Sequence, residues 1–256
     1  MTKAEIVEIG DLQMYYERAG NGEPLLLLHG GTGCHEDWNY AGCDEFIREY
    51  SVITPDARGH GATSNPQATI THRQCAVDTL ALLDRLGIHK CRAIGVSMGG
   101  NILLHMATMH PNRIEAMVVV SATMYFPKQA RAVMRQVPLP DDQPLHEWER
   151  MRRSHKYGNR QIIELWNWIR SLQHSYDDMN FTPPVLAKLM APTLIVCGDR
   201  DPIYPVEMAV EMYRAIPRSS FWVVPNGAHG PIFGEAAPQF AHAALKFFRD
   251  AVSIGG

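Results

Sequence analysis

Apolar residues along this chain follow two rhythms that alternate for most of its length. Ile6, Val7 and Ile9, then Leu12, Met14 and Tyr16 across Gly10-Asp11, read as a hairpin of two alternating strands. Residues 24–29, Pro-Leu-Leu-Leu-Leu-His, form an unbroken apolar run of the kind found in a strand covered on both faces. Similar short runs recur at 51–56, 91–96, 116–120, 191–197 and 221–224. Between them lie stretches with helical spacing. Residues 69–86 place Ala76, Leu80 and Leu83 on one face, with Thr69 or Thr71 at the start and Gly87 at the end. Ile102, Leu103 and Met106 mark a second helix, residues 206–216 a third, and residues 238–252 a closing amphipathic helix. Strands alternating with helices imply a mostly parallel sheet with helices on both faces.

From Thr123 the pattern changes. Between Met124 and Leu189 there is no buried-strand run, while aromatic and charged residues alternate along helical stretches. Arg131, Arg135, Arg150, Arg152, Arg153 and Arg160 share this region with Trp148, Trp166, Trp168, Tyr157 and Tyr176. The expected organisation is a core of residues 1–123 and 190–256 interrupted by a helical insertion at 124–189. The tryptophans read as the insertion's own core, with one or two available to line a pocket, and the arginines as a mostly solvated face. Asp177 and Asp178 are placed on that solvated face too.

Composition narrows the class without changing this picture. The 256 residues are 46% hydrophobic and 20% charged, with a formal charge of −3, so there is no basic excess for nucleic acid. The first residues carry no apolar leader core, and the longest aliphatic run, Leu25 to Leu28, is too short for a bilayer. A cytoplasmic protein with no membrane partner is expected, and the oligomeric state stays open. Five cysteines without a C-x-x-C pair point to reduced thiols serving as small core residues. His35-Glu36 lacks the second histidine of an H-E-x-x-H motif, so neither a metal site nor a cofactor is expected.

The chemistry concentrates at strand ends. Residues 95–100, Gly-Val-Ser-Met-Gly-Gly, sit between the apolar run at 91–96 and the helix beginning after Ser97. A strand, a sharp turn and a helix in that order expose a serine hydroxyl above the sheet, and glycines two before and two after it prevent backbone collision. The helix start aims N–H groups at charge developing beside the serine. A serine hydroxyl needs a base to become a nucleophile, and His229, in Gly227-Ala228-His229-Gly230, is the candidate. That histidine needs a carboxylate to fix its tautomer. Asp201, in Gly198-Asp199-Arg200-Asp201-Pro202, is the first choice and Asp199 the alternative.

Five motifs in this order resemble the alpha/beta-hydrolase family: His29-Gly30-Gly31, residues 56–61 (Asp-Ala-Arg-Gly-His-Gly), residues 95–100, residues 198–202 and residues 227–229. The resemblance covers the chain outside the insertion. It implies an eight-stranded, mostly parallel sheet with a helical cap inserted after the sixth strand. It also implies an oxyanion hole from the N–H groups of Gly31 and Met98, with Thr32 as a substitute for the former. Some members carry the acid after the sixth strand, but Ser121-Ala122-Thr123 offers no carboxylate, which keeps it on the 198–202 turn. Arg58 and His60 are expected to hold a loop by hydrogen bonds rather than to do chemistry.

Within that family the serine at position 97 argues against haloalkane dehalogenases and epoxide hydrolases, which carry aspartate at the turn. Carbon–carbon bond hydrolases commonly have Asn before the serine and Trp after the histidine, where this chain has Val96 and Gly230. Residues 56–100 resemble small bacterial carboxylesterases and beta-ketoadipate enol-lactonases about equally. The expected activity is hydrolysis of a small-molecule carboxylic ester through an acyl-enzyme. An enol-lactonase acting on a carboxylated lactone is the nearest alternative, and a non-catalytic ligand receptor or interaction protein on the same fold is the alternative of another class.

Overall fold

The computed structural model describes residues 2–253. In chain order the elements are β1 (Lys3–Ile9), β2 (Leu12–Ala19), β3 (Pro24–Leu28), α1 (Cys43–Glu49), β4 (Ser51–Pro55), α2 (His72–Arg85), β5 (Cys91–Val96), α3 (Met98–Met109) and β6 (Ile114–Val120). Four helices follow: α4 (Lys128–Gln136), α5 (Leu145–Ser154), α6 (Gly158–Ser171) and α7 (Pro183–Leu186). The chain then closes with β7 (Thr193–Gly198), α8 (Val206–Ala215), β8 (Ser219–Val224) and α9 (Ala237–Ser253).

The eight strands form one sheet in the order β1-β2-β4-β3-β5-β6-β7-β8. β1–β2 and β2–β4 pair antiparallel, and every later pair is parallel. The unbroken leucine run of β3 has a simple cause. Leu26 and Leu28 enter the core beneath α2 and α3, while Leu25 and Leu27 enter the one packed by α1 and α9. Alternate side chains of a strand point to opposite faces, so a strand covered on both faces must be apolar at every position.

One helix start is narrowed, and two short elements lay outside the sequence reading. Of the two caps offered for α2, Thr71 is the one used: the helix begins at His72 and the Thr71 hydroxyl oxygen accepts from Gln74 N–H at 3.0 Å. The short α1 and the 3-10 turn at His35–Tyr40 gave no periodic signal. Phe46 of α1 is held edge-to-face against Phe240 of α9, with ring centroids 6.2 Å apart, a contact between positions far apart in sequence. All five cysteines are buried and unbridged. Among the described residues no helix is long and apolar enough to cross a membrane.

The helices between β6 and β7 lie over the carboxyl ends of the strands and are tied down at several points. Tyr125 bridges to Asn180, and Phe181 N–H donates to Met124 O at 2.9 Å, closing the base of the segment. Asp178 does not sit on a solvated face. Its side chain is only 10% exposed; Oδ2 accepts from both Nδ1 and the backbone N–H of His72, and Oδ1 from Arg73 N–H. The start of α2 offers unsatisfied N–H groups and positive dipole charge, which is what draws a carboxylate from another segment to that point. Asp177 remains exposed.

Candidate active site

Ser97 stands between the end of β5 and the first turn of α3, with φ 52° and ψ −111°. This is a strained backbone for a non-glycine residue, and its surroundings impose it. Ser97 N–H donates to Val120 O at 2.7 Å and Ser97 O accepts from Asn101 N–H at 2.9 Å. A Cβ at Gly95 would collide with the backbone of Gly99, and one at Gly99 with the carbonyls of Leu28 and His29. The glycine spacing read from the sequence is thus a packing requirement between β5, α3 and the end of β3.

His229 Nε2 lies 2.8 Å from Ser97 Oγ, and His229 Nδ1 lies 2.8 Å from Asp201 Oδ2. Asp201 Oδ1 accepts from the N–H groups of Ile203 (2.8 Å) and Tyr204 (3.0 Å), so both carboxylate oxygens are engaged. Burial by itself would raise the Asp201 pKa, but the hydrogen bond and charge of His229 and the two N–H donors hold it below the usual carboxylate range. Asp199 is exposed and on the same turn, but the carboxylate beside His229 is that of Asp201. Ser121 contributes what the sequence did not reveal. Its hydroxyl oxygen accepts from Gly230 N–H at 3.0 Å and so fixes the loop that carries His229.

The loop after β3 is held by two histidines. His29 Nε2 accepts from Ala57 N–H at 3.0 Å, which leaves Nδ1–H to donate to Gly30 O at 2.8 Å. His155, from the turn between α5 and α6, accepts at Nδ1 from Gly61 N–H (2.9 Å) and donates from Nε2 to Thr32 O (3.1 Å). Burial pushes its pKa down to about 4, so the ring stays neutral with both nitrogens committed. Among the described residues neither the Gly31 nor the Met98 N–H donates to another protein group, and both residues border the space in front of Ser97.

The remaining motif residues are structural. Arg58 makes a two-pronged ion pair with buried Asp78, at 2.8 and 3.0 Å, and His60 Nδ1 donates to Arg58 O at 2.9 Å. Cys34, His35 and Asp56 bring a thiol, an imidazole and a carboxylate within 4.8 Å of one another. Their donors are already spent. Asp56 Oδ1 accepts from His35 N–H and Nδ1, Oδ2 accepts from Ala62 N–H, and burial pushes the Cys34 thiol up to about 12. The set ties the 34–35 turn to the 56–62 loop.

Two cavities meet at Ser97 and His229. The more open one, about 450 Å³, is bordered by Thr32, Trp166 and Phe233, with Asp37 and Glu147 among its charged residues. The more enclosed one, about 160 Å³, runs beneath α4 and α6 against Val133, Val137, Trp168, Ile169 and Leu172. Among the described residues no lysine or arginine lines either cavity. Arg131, half-buried, donates to the carbonyls of Phe126, Gln173 and Ser175 and lies over the Tyr176 ring at 3.8 Å. Ile162 and Leu165, two of the long apolar residues available for the pocket wall, are instead buried away from it. Trp166 and Trp168 both reach the cavities, while Trp148 packs edge-on against Trp166 at 4.5 Å.

A doubly covered, mostly parallel sheet with a strained serine turn after β5 defines the class, and the chain belongs to the alpha/beta hydrolase family, whose profile matches residues 25–243. Among curated proteins it is 24% identical over 263 residues to the 2-hydroxy-6-oxo-6-(2'-aminophenyl)hexa-2,4-dienoic acid hydrolase of Metapseudomonas resinovorans, covering 94% of this chain and 89% of that one. It is 26% identical over 242 residues to the AB hydrolase superfamily protein YisY of Bacillus subtilis (strain 168), covering 87% and 90%. Among solved structures, a thermophilic esterase from Thermogutta terrifontis superposes with a TM-score of 0.74 at 25% identity, over 98% of this chain and 99% of that one.

Proposed function

We propose that this protein is a serine carboxylesterase in which Ser97 is the nucleophile, His229 the general base and acid, and Asp201 the residue that orients and stabilises the histidine. The observation that carries the reading is the unbroken hydrogen-bond chain Ser97 Oγ–His229–Asp201, at 2.8 Å per link, opening on a largely apolar cavity. His229 takes the Ser97 proton as Oγ attacks the ester carbonyl, and the oxyanion is received by the N–H groups of Gly31 and Met98. His229 then protonates the leaving alcohol. Water, deprotonated by His229, releases the acid from the acyl-enzyme. Residues 124–189 serve as the cap, which excludes water and supplies one wall of the acyl cavity. At about 160 Å³ that cavity is close to the size of an engineered void that holds benzene, so it suits an acyl group of short to medium length. The likeness to an esterase over nearly the full chain supports the same assignment.

A fluorophosphonate is expected to label Ser97 stoichiometrically and to leave the Ser97→Ala protein unlabelled. A p-nitrophenyl butyrate assay is expected to give a burst and steady turnover with wild type only. Labelling elsewhere, with activity retained in Ser97→Ala, overturns the mechanism. Absence of both label and turnover in wild type favours a non-catalytic receptor.

A further inference from the structure

A few residues border both cavities where they meet at Ser97. Gly31, Ser97 and His229 belong to the reacting set of the reading above, and the others are the aliphatic side chains Val137, Ile169 and Ile203, all half-buried. They come from three separate elements. Val137 closes α4, Ile169 stands in the last turn of α6, and Ile203 follows Asp201 on the turn after β7. Each is held in place by its surroundings. Arg170, next to Ile169, donates from Nη1 to Arg135 O at 2.8 Å and to Val137 O at 2.6 Å, which pins the end of α4 to the end of α6. Ile203 N–H donates to Asp201 Oδ1 at 2.8 Å. A Cβ added to Gly31 would come to 3.0 Å from Ile169 Cδ1, so the tip of Ile169 stands over the glycine assigned to the oxyanion.

When Ser97 Oγ attacks, the carbonyl carbon lies at the junction of the cavities, so the α-carbon, one bond away, lies among these three side chains. Atoms farther along the acyl chain are limited by the volume of the inner cavity, whereas substituents on the α-carbon are limited by the junction. We propose that Val137, Ile169 and Ile203 form a steric neck that refuses acyl groups with a quaternary α-carbon, whatever their total size. One α-methyl is met by turning the Ile169 tip aside. A quaternary carbon presents methyls in three directions at once, and no single rotation relieves the crowding against packed side chains. The inference rests on the acyl-enzyme reading above and narrows its substrate class to esters of acids that carry hydrogen on the α-carbon, straight-chain acids foremost.

The test compares kcat/KM for p-nitrophenyl valerate and p-nitrophenyl pivalate, isomers that differ in branching at the α-carbon and not in atom count. Each rate is normalised to the same ester's hydrolysis by hydroxide, which removes the intrinsic hindrance of the branched ester, and to the sites titrated by a fluorophosphonate, which counts folded enzyme. Wild type is expected to prefer valerate by about tenfold or more, the low end of what an apolar pocket achieves over a single methylene. Butyrate against isobutyrate should show a smaller preference. Ile169→Ala and Val137→Ala, which open the neck, should each lower the valerate preference severalfold. Val133→Ala widens only the inner cavity. It should raise hexanoate relative to butyrate and leave the valerate-to-pivalate ratio in place. General loosening of the cap would lower both isomers alike. Equal normalised rates in wild type, a preference that survives both neck variants, or one that falls as far in Val133→Ala overturns the neck and leaves the esterase reading standing. No turnover of any ester, with no fluorophosphonate label on Ser97, removes both.

Discussion

Asp201 Oδ2 reaches His229 Nδ1 at 2.8 Å while Asp201 Oδ1 is held by two backbone N–H groups, so the carboxylate can neither rotate nor lend its second oxygen elsewhere. Replacing it by Asn keeps the shape and removes the charge, and the amide can present its N–H2 toward the histidine, favouring the wrong tautomer. Asp201→Asn is expected to lower kcat by roughly 10⁴-fold, the size seen for a triad aspartate. Asp199→Asn, on an exposed side chain, should cost less than a few-fold. Steady-state kinetics on a neutral aryl ester decide the matter, and the reverse ranking would move the role to Asp199.

The close approach of Gly99 to the carbonyls of Leu28 and His29 leaves no room for a methyl group. Since backbone rather than a flexible side chain stands in the way, Gly99→Ala should cost about 1–3 kcal/mol or more of stability, as overpacking does. Urea unfolding is the measurement. At Gly31 the one tight contact of a Cβ would be Cδ1 of Ile169 at 3.0 Å, the far end of a side chain that can move, with the Trp168 ring at ordinary contact distance, 3.5 Å. Gly31→Ala is therefore expected to stay folded and to show its effect in kcat.

His155 predicts a stability slope in mild acid. Its folded pKa is pushed down to about 4 by burial, below the ordinary value of 6.5, so the unfolded chain takes up the proton first. The stability from keeping this ring neutral is fully present above pH 6.5 and is lost as pH falls toward 4. His60, also lowered by burial, acts in the same direction. Two and a half pH units at about 1.4 kcal/mol each set an upper size of roughly 3.5 kcal/mol for the single site. Unfolding free energies at pH 7, 5.5 and 4.5 should show the decline, and His155→Gln, which has no proton to gain, should flatten part of it. An unchanged slope in that variant would assign the decline to other groups.

Charge around the cavities bears on ester against lactone. With Asp37 and Glu147 at the wider opening and no lysine or arginine on either wall, a substrate carboxylate meets no cation. We expect kcat/KM for a neutral aryl ester to exceed that for a carboxylated enol-lactone by at least tenfold. Arg131→Ala should lower thermal stability by loosening the 173–175 turn it holds, without changing that ratio. A lactone preference abolished by one Arg→Ala change in the cap, at a cost of a few kcal/mol, would establish the enol-lactonase instead.

The sequence by itself determined the alternating elements, the parallel sheet and the strand-end positions of Ser97, Asp201 and His229. These are local properties: a buried strand must be apolar throughout, and a serine turn between strand and helix requires glycines at fixed spacing. What lay beyond it were the relations between segments distant in the chain. Asp178, one of two adjacent aspartates in a charged helical region, is indistinguishable in sequence from a solvated residue. Only the folded chain brings it to the first turn of α2, where unsatisfied N–H groups and the His72 ring bind it. His155 reads as one histidine among twelve until the turn between α5 and α6 sets it between Gly61 N–H and Thr32 O. The same holds for the cavity. Ile169, Val133 and Val137 reach it while Ile162 and Leu165 do not, because the side of each helix that faces Ser97 is fixed by how α4 and α6 pack together, and helical spacing gives a face without saying what the face meets.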